Sequence, residues 1–269
     1  MIRLPALFIA ALVAAFLSAP TIATGEEPTV AERGKTLAEK YRGRAPIKWG
    51  EHFPGIVDTL HPDRNPQEAS RTLALTLDAC EGGTDMRIIA LLREHAVPAT
   101  IFVTNRWLRR NAAVAADLAT DPLFSIAAHG KQHKPASVNG KAAYGIAGTK
   151  SIPHLVEEVE DNARAIAALA GERPRWFRSG TAHYDDVAVD IIADLGLAVA
   201  GYAVSADQGA SLPAREVTRR LLRAPDLAVI LLHLNHPESG TFQGLASAIP
   251  AMLEQGVMFV KLDQDLPKE

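Results

Sequence analysis

From residue 71 onward, short apolar runs alternate with longer stretches in which apolar residues recur every three or four positions. The short runs predict buried strands, and the longer periodicity predicts amphipathic helices. The predicted strands are Thr72–Leu77, Ala99–Val103, Phe124–Ala128, Arg175–Phe177, Ala198–Val204, Ala228–Leu232 and Val257–Lys261. Helices are predicted in the gaps, most clearly at His154–Ala170, Asp185–Gly196, Ala214–Ala224 and Gly244–Gly256.

This alternation amounts to about seven strand–helix units, which predicts a parallel sheet covered by helices. Seven units favour an α/β fold closed into a (β/α)7 barrel, one unit short of the usual eight. An open doubly wound sheet is the alternative. No glycine-rich phosphate loop follows the first predicted strand, which argues against a nucleotide-binding sheet.

The first 23 residues have a different pattern. Arg3 precedes an apolar run, Ala6–Leu17, and small residues surround a cleavage position after Ala23. This arrangement predicts a signal peptide over residues 1–23 and a secreted or periplasmic mature protein. An uncleaved membrane anchor is the alternative, but the run is short for a spanning helix, so we expect no stable membrane insertion after cleavage.

Residues 24–70 are rich in proline, glycine and charged residues and have weak periodicity. They predict an N-terminal extension that lies on the main domain or tethers it, with a short helix at Thr36–Arg42. The catalytic barrel is then predicted over residues 71–265.

Composition narrows the function classes. The chain is 48% hydrophobic and 22% charged, which suits a globular domain with a substantial core. The net charge is −3 and no long basic run occurs, so we expect no nucleic-acid partner. The single cysteine excludes an internal disulfide, and the core alone must stabilise the fold.

Polar side chains with catalytic potential gather where the predicted strands end. In parallel barrels, that edge carries the chemistry. The residues at these ends are Asp78, His129, His133, Arg178, Ser205, Asp207 and His233, with Asn235 and His236 following. Each has an ordinary interpretation taken alone, as a helix cap, a solvated loop residue or a buried core histidine. Their convergence on one edge favours a functional site.

This set suits metal-assisted hydrolysis of an ester or amide. The imidazoles of His129 and His133, together with a carboxylate, are ligands that a zinc-like divalent metal prefers. A nearby carboxylate can act as general base, and a histidine can protonate the leaving group. Arg178 is expected to hold the carboxylate, and Asp207 is expected to orient His233.

The order of these residues resembles the polysaccharide deacetylases, also called NodB-homology proteins or family 4 carbohydrate esterases. The likeness covers about residues 71–262. Its most specific stretches are HGKQHKP, which begins at His129, and VILLH, which ends at His233. The resemblance implies a distorted (β/α)7 barrel that removes acetyl groups from N- or O-acetylated sugars, with an acetylated glycan as the substrate.

The resemblance also implies a role for each residue. Asp78 is the general base and pairs with Arg178, and His233 is the general acid and is tuned by Asp207. The implied metal ligands are His129 and His133. Zinc is the expected metal, with cobalt or nickel as alternatives. Leu231 is expected to line a small pocket for the acetyl methyl group.

The first motif departs from the family pattern. The family's Thr-Phe-Asp-Asp-Gly is Thr76-Leu77-Asp78-Ala79-Cys80 here, so alanine replaces the usual third metal ligand. The replacement ligand is left open between Asp78, Glu81 and Asp85, or two histidines with water. A Cys80 thiolate would be unusual for the family.

The later motifs depart as well. Ser179-Gly180-Thr181 follows Arg178 in place of Pro-Pro-Tyr, so the amide that stabilises the oxyanion is expected from Thr181 or from the His183–Asp185 turn. Gln208 replaces a tryptophan and Leu234 an aspartate. Two other functions remain open: a non-catalytic carbohydrate-binding relative, and a metal-dependent amidase acting on a small non-sugar substrate.

Overall fold

The computed structural model describes residues 27–61 and 69–264. The predicted signal peptide, residues 1–23, lies outside these ranges. None of the helices within the described ranges has both the length and the apolar character needed to cross a membrane.

Strands and helices alternate along the chain. The strands are β1 Trp49–Gly50, β2 Ile56–Val57, β3 Arg71–Ala79, β4 Ala99–Val103, β5 Phe124–Ala128, β6 Trp176–Phe177, β7 Tyr184–Asp185, β8 Ala198–Ala200, β9 Val204–Ser205, β10 Val229–His233 and β11 Val257–Val260. The helices are α1 Val30–Lys40, α2 Met86–Glu94, α3 Asn105–Arg110, α4 Ala112–Thr120, α5 Ile152–Ala170, α6 Asp186–Asp194, α7 Ala214–Leu222 and α8 Thr241–Glu254. Short 3-10 turns lie at Gly180–Ala182 and Leu262–Gln264.

The main sheet is parallel and curls into the predicted distorted (β/α)7 barrel, which is thereby confirmed. Its strand order is β2-β8-β6-β5-β4-β3-β10-β9, with β11 pairing to β3 off this path. The segment after β2 reaches the start of β10, because the amide of Val229 donates to the carbonyl of Asp58 at 3.1 Å and that of Leu60 to Leu227 at 2.7 Å. This contact joins the two sides of the curled sheet.

The pleat of β3 sorts its residues between two environments. Leu73, Leu75, Leu77 and Ala79 belong to the large apolar cluster that includes helix residues such as Ile89 and Trp107. The alternate position Ala74 belongs to a smaller cluster with residues of five other strands, among them Phe102 and Trp176. Because side chains alternate along a strand, Asp78 points to the barrel interior while Ala79 points toward the helices.

Helix α5 illustrates how local sequence sets an element's ends. The hydroxyl of Ser151 caps its first turn, and Pro153 follows where a missing amide hydrogen costs nothing. Gly171 ends the helix with a left-handed φ of 78°. The prediction of a helix at His154–Ala170 is therefore confirmed, with two further residues at its start.

The prediction of one continuous strand over Ala198–Val204 was wrong. This stretch is divided into β8 and β9, which pair with different neighbours. Between them the amide of Gly201 donates to Val57 at 2.8 Å and that of Ala203 donates to Val229 at 2.9 Å. The chain changes partners here, and this change depends on strands distant in sequence.

The described part of the predicted extension contacts the barrel. Helix α1 packs on α5 closely enough that a Cβ on Gly34 would lie 3.2 Å from the Cα of Pro153. It begins at a capping box between Thr29 and Glu32, earlier than the predicted Thr36 start. Strand β1 pairs with β7, and β2 pairs with β8. The boundary at residue 70 stays a prediction.

Candidate active site

Strand register brings the predicted site residues to one edge of the barrel. Asp78 at the end of β3 is the register partner of His233 at the end of β10. Ala128 on β5 pairs with Phe177 on β6, so His129 and Arg178 leave the sheet at the same level. The convergence expected from the strand ends is thus present in the structure.

Asp78 and Arg178 form a buried ion pair. One guanidinium nitrogen, Nη1, donates to Asp78 Oδ1 at 2.8 Å and to the hydroxyl of Thr76 at 2.9 Å, and Nη2 donates to the carbonyl of Gly201 at 2.7 Å. Burial would raise the pKa of the Asp78 carboxyl, but the charge of Arg178 and the two nearby histidines outweigh it and lower the pKa. Asp78 is therefore ionised at neutral pH, as a general base must be.

His233 is oriented by Asp207. The carboxylate accepts from the ring nitrogen Nδ1 at 2.9 Å and from the His233 backbone amide at 2.7 Å. Thr241 adds a third hydrogen bond to Asp207 at 2.9 Å. Burial would lower the pKa of His233, but the hydrogen bond and charge of Asp207 more than offset it, and the pKa is raised. The protonated imidazole is thereby favoured, as a general acid requires.

His129 is fully buried and held in one tautomer. Its Nδ1 donates to the carbonyl of Arg178 at 2.8 Å, so the proton of the neutral ring lies on that nitrogen. The other nitrogen, Nε2, lies 3.5 Å from Asp78 Oδ2 and 3.6 Å from the sulfur of Cys80. Burial lowers the pKa of His129, which keeps its Nε2 lone pair available.

His133 completes the histidine pair. Its ring centroid lies 4.8 Å from that of His129, and its backbone has an uncommon left-handed φ of 61°. Burial, with the neighbouring His129, lowers the pKa of His133 to about 3. Both imidazoles are therefore neutral at physiological pH and able to bind a metal.

Sequence reasoning missed two side chains of α5 that hold the histidine loop. The carboxylate of Glu158 accepts from the amides of Gln132 at 2.9 Å and Lys134 at 3.0 Å. The amide oxygen of Asn162 accepts from the amides of His129 at 2.8 Å and of the next residue at 2.9 Å. The signal was present, because both are polar residues four apart beside the helix's apolar stripe.

A glycine is required where this loop turns. Gly130 has a φ of 89°, and a Cβ there would lie 2.4 Å from Oε1 of Glu158. A larger residue would collide with the carboxylate that organises the loop. Gly180 is constrained in the same way, because its Cβ would lie 2.2 Å from the backbone of His133.

The donor set fits a zinc-like metal. Cys80, His129 and His133 each offer one ligand atom, and these atoms lie within 4.8 Å of one another. Sulfur and imidazole nitrogen are donors that zinc prefers. The carboxylates of Glu81 and Asp85 lie elsewhere: the first pairs with Arg106 at 3.2 Å and the second with Arg87 at 2.7 Å.

A cleft of about 620 Å³ opens at this edge of the barrel. Asp78, His133 and His233 line it, as does Leu231, the residue predicted to contact an acetyl methyl group. Other lining residues are Glu51, Tyr144, Ile146, Thr181, Ala182, Tyr202, Ser205, Gln208, Gly209 and Arg220. The cleft therefore connects the candidate base and acid to a surface suited to a polar substrate with apolar groups.

The candidate oxyanion amides are that of Thr181 and those of the His183–Asp185 turn. The Asp185 amide, in the His183–Asp185 turn, already donates to the carbonyl of Ala136 at 2.9 Å. Thr181 lines the cleft in a left-handed conformation, with φ 72°. Of the two positions that the sequence left open, Thr181 is the one that faces the candidate site.

Comparison with known proteins adds a relative of undefined role. YlxY, an uncharacterised protein of Bacillus subtilis (strain 168), is 24% identical over 164 residues, which cover 61% of this chain and 48% of YlxY. The chain thus spans about half the length of this curated relative.

Solved structures share the fold at low identity. BA3943, a CE4 family pseudoenzyme from Bacillus anthracis, has a TM-score of 0.64 and 22% identity, covering 80% of this chain and 70% of BA3943. A BA3943 mutant with restored enzymatic activity also has a TM-score of 0.64, with 23% identity and coverages of 80% and 72%. PdaA, a family 4 carbohydrate esterase of Bacillus subtilis, has a TM-score of 0.62 and 17% identity, covering 86% and 87%. At these identities the likeness concerns the fold.

The sequence profile of the polysaccharide deacetylases matches residues 65–200, just over half of the 269-residue chain. The matched part contains Asp78, both histidines of the loop and Arg178. Asp207 and His233 follow it on the same barrel edge. The profile match shows that this protein belongs to the polysaccharide deacetylase family.

Proposed function

We propose that the protein is a metal-dependent hydrolase that removes acetyl groups from an N- or O-acetylated carbohydrate. The observation that carries the proposal is a pair of separately tuned groups at one end of the barrel. Arg178 binds Asp78 at 2.8 Å and lowers the pKa of its carboxyl, whereas Asp207 binds His233 at 2.9 Å and raises the pKa of its imidazole. Opposed tuning of two neighbouring groups is the arrangement that acid–base catalysis requires.

The residues divide the reaction between them. Asp78 removes the proton from the water that attacks the acetyl carbonyl, while Arg178 keeps its carboxylate ionised and in place. His233 donates a proton to the departing sugar nitrogen or oxygen, and Asp207 holds the ring through Nδ1, which leaves Nε2 as the proton donor. A bound divalent metal supplies Lewis-acid polarisation and lowers the pKa of water. Acetate and the free amine or hydroxyl are the products.

Two features of the cleft support a glycan substrate. Tyr144 is 77% exposed, and Tyr202 also lines the cleft, so aromatic faces are available to a sugar ring although the family's motif tryptophan is Gln208 here. Leu231 provides an apolar contact for a methyl group. The Thr181 amide is our candidate for the donor that stabilises the oxyanion.

We further propose that the mature protein acts outside the cytoplasm, in the periplasm or secreted, after cleavage following Ala23. The basic, apolar and small-residue pattern of residues 1–23 supports this location. N-terminal sequencing of the exported protein tests it, with Thr24 as the expected first residue.

The competing function is a non-catalytic glycan-binding relative. Ala79 favours it, because alanine cannot replace the usual metal ligand, and BA3943 is a pseudoenzyme of the same fold. Retention of the tuned pairs favours catalysis, since sugar binding alone needs neither a base nor an acid.

Acetate release separates the two functions. The purified protein is incubated with acetylated glycans and peptidoglycan, first with a chelator and then with added zinc or cobalt. We expect metal-dependent release, and its loss in a His233→Ala variant. His236→Ala is the matched control, because His236 is a nearby, more exposed histidine paired with Glu238 at 3.0 Å. Undiminished release by His233→Ala would refute the assigned role.

A further inference from the structure

We propose that the thiolate of Cys80 is the third protein ligand of the metal, replacing the carboxylate lost at Ala79. This inference rests on the proposed metal dependence of the site. It makes the centre a Cys-His-His site, with a preference for thiophilic metals that a carboxylate donor would not impose.

The pleat of β3 places the side chains of Asp78 and Cys80, but not that of Ala79, beside His129. Ala79 is fully buried in the apolar cluster between strands and helices, so its side chain points away from His129. Asp78 and Cys80, on either side of it, both approach the Nε2 atom of His129. The interior side of the strand end thus offers a carboxylate and a sulfur in place of the family's paired carboxylates.

The separation between the Cys80 sulfur and Nε2 of His129 agrees with a shared metal ion. Zinc bonds of about 2.3 Å to sulfur and about 2.0–2.1 Å to nitrogen, at a tetrahedral angle, place the two donors about 3.6 Å apart. The observed separation between Cys80 Sγ and His129 Nε2 is 3.6 Å. All three donor atoms, including that of His133, lie within 4.8 Å of one another.

The hydrogen bonds leave the correct atom of His129 free for a metal. Its Nδ1 proton is committed to the carbonyl of Arg178, so in the neutral ring Nε2 carries only a lone pair. That lone pair faces the Cys80 sulfur and the Asp78 carboxylate. The Cys80 thiol donates its hydrogen toward this lone pair, and a bound cation would take the place of that proton between the sulfur and the nitrogen.

The backbone of Cys80 is anchored. Its carbonyl accepts a hydrogen bond from the hydroxyl of Thr104, and that same hydroxyl caps α3 by accepting from the amide of Trp107. The backbone that bears the sulfur is therefore held in position by this hydrogen bond. When the metal binds, the thiol releases its proton to solvent as the sulfur–metal bond forms.

The other carboxylates are committed elsewhere. Glu81 is largely exposed and pairs with Arg106. The side chain of Asp85 caps α2 and binds the guanidinium of Arg87. Asp78 has one oxygen bound by Arg178, and its role as base requires the other to reach water. Cys80 is the remaining donor beside the histidines among the described residues.

Cobalt substitution tests this inference without relying on catalysis. Cobalt bound through a thiolate produces an intense near-ultraviolet sulfur-to-cobalt charge-transfer band. We expect this band in the wild-type protein and in Glu81→Gln, and its loss in Cys80→Ser. In competition with a chromogenic chelator, Cys80→Ser should bind zinc at least about 100-fold more weakly than the wild type.

A second measurement needs no variant, so it holds even if the serine protein fails to fold. Alkylation of the single cysteine in the wild-type protein should slow strongly when zinc is added. Binding of zinc without protection, cobalt binding without the band, or no metal binding at all would overturn the inference.

The results also separate this inference from the proposed function. A thiolate band without acetate release from any glycan leaves the Cys80 ligand standing and refutes the deacetylase proposal. Metal-dependent acetate release together with unchanged zinc affinity in Cys80→Ser would support the deacetylase proposal and refute the Cys80 ligand.

Discussion

Replacing Asp207 by asparagine is expected to lower the pKa of His233. The substitution keeps the shape of the side chain but removes the negative charge of the carboxylate, whose oxygen accepts a hydrogen bond from His233 Nδ1 at 2.9 Å. A charge-assisted hydrogen bond contributes about 1.5–3 kcal/mol, and one pKa unit corresponds to about 1.36 kcal/mol. The pKa of His233 should therefore fall by roughly 1–2 units.

The direction of the pH effect follows from the role of the group. A general acid is active when protonated, so the loss of activity on the alkaline side of the pH profile should begin at a lower pH in Asp207→Asn. Stability has its own pH window. The pKa of His233 is higher in the folded protein than its unfolded value of about 6.5. The His233–Asp207 pair therefore stabilises the folded protein fully below pH 6.5, and this contribution is lost as the pH rises through the folded pKa. The destabilisation of the variant should diminish across that window.

Histidine NMR titration measures the shift directly and does not depend on a substrate. Thr241→Val is the matched control, because it removes one hydrogen bond to Asp207, of 2.9 Å, but leaves the carboxylate charge. Its effect on the His233 titration should be much smaller. If Asp207→Asn left the titration of His233 unchanged, the tuning of the candidate acid by Asp207 would be wrong.

Three further predictions concern the rest of the site. Arg178→Met leaves a buried carboxylate without its cation, so urea unfolding should show a loss of about 3–5 kcal/mol; a loss below about 1 kcal/mol would contradict the buried pair. Glu158→Ala frees the histidine loop and should weaken zinc binding about 10–100-fold in chelator competition. Glu157→Ala, at an exposed neighbour paired with a lysine, should leave zinc binding unchanged. Ala79→Asp combined with Cys80→Gly removes the thiol and places the new carboxylate on the apolar side of β3, so it should abolish the thiolate–cobalt band and weaken zinc binding; persistence of the band would contradict the ligand assignment.

The strand ends were predictable because each is a local pattern. Asp78 and His233 directly follow or end apolar runs, and parallel strands deliver such residues to one edge of a barrel. The division of the strand at 198–204 was not predictable, since it depends on hydrogen bonds to Val57 and Val229. The local sequence of that stretch does not indicate which neighbouring strand each residue pairs with.

The arrangement around the proposed metal ligands was only partly predictable. The histidine spacing predicts two ligands, but the sequence leaves the third open between Asp78, Glu81 and Asp85, or two histidines with water. The pleat of β3 and the Thr104 contact decide which side chains face inward, and both are properties of the packed barrel. Glu158 could have been suspected as a polar residue at a buried helix position, although its partner loop could not be named.

Arg178 contacts the candidate base through its side chain and His129 through its own carbonyl. The proposed base and a proposed imidazole ligand therefore depend on the same residue, and a substitution that displaces either should also displace the other. In evolutionary terms, strong epistasis is expected among positions 78, 129 and 178, and these should be inherited as a unit. The departures at 79 and 80 should likewise be inherited together, because the proposed donor at 80 replaces the one lost at 79.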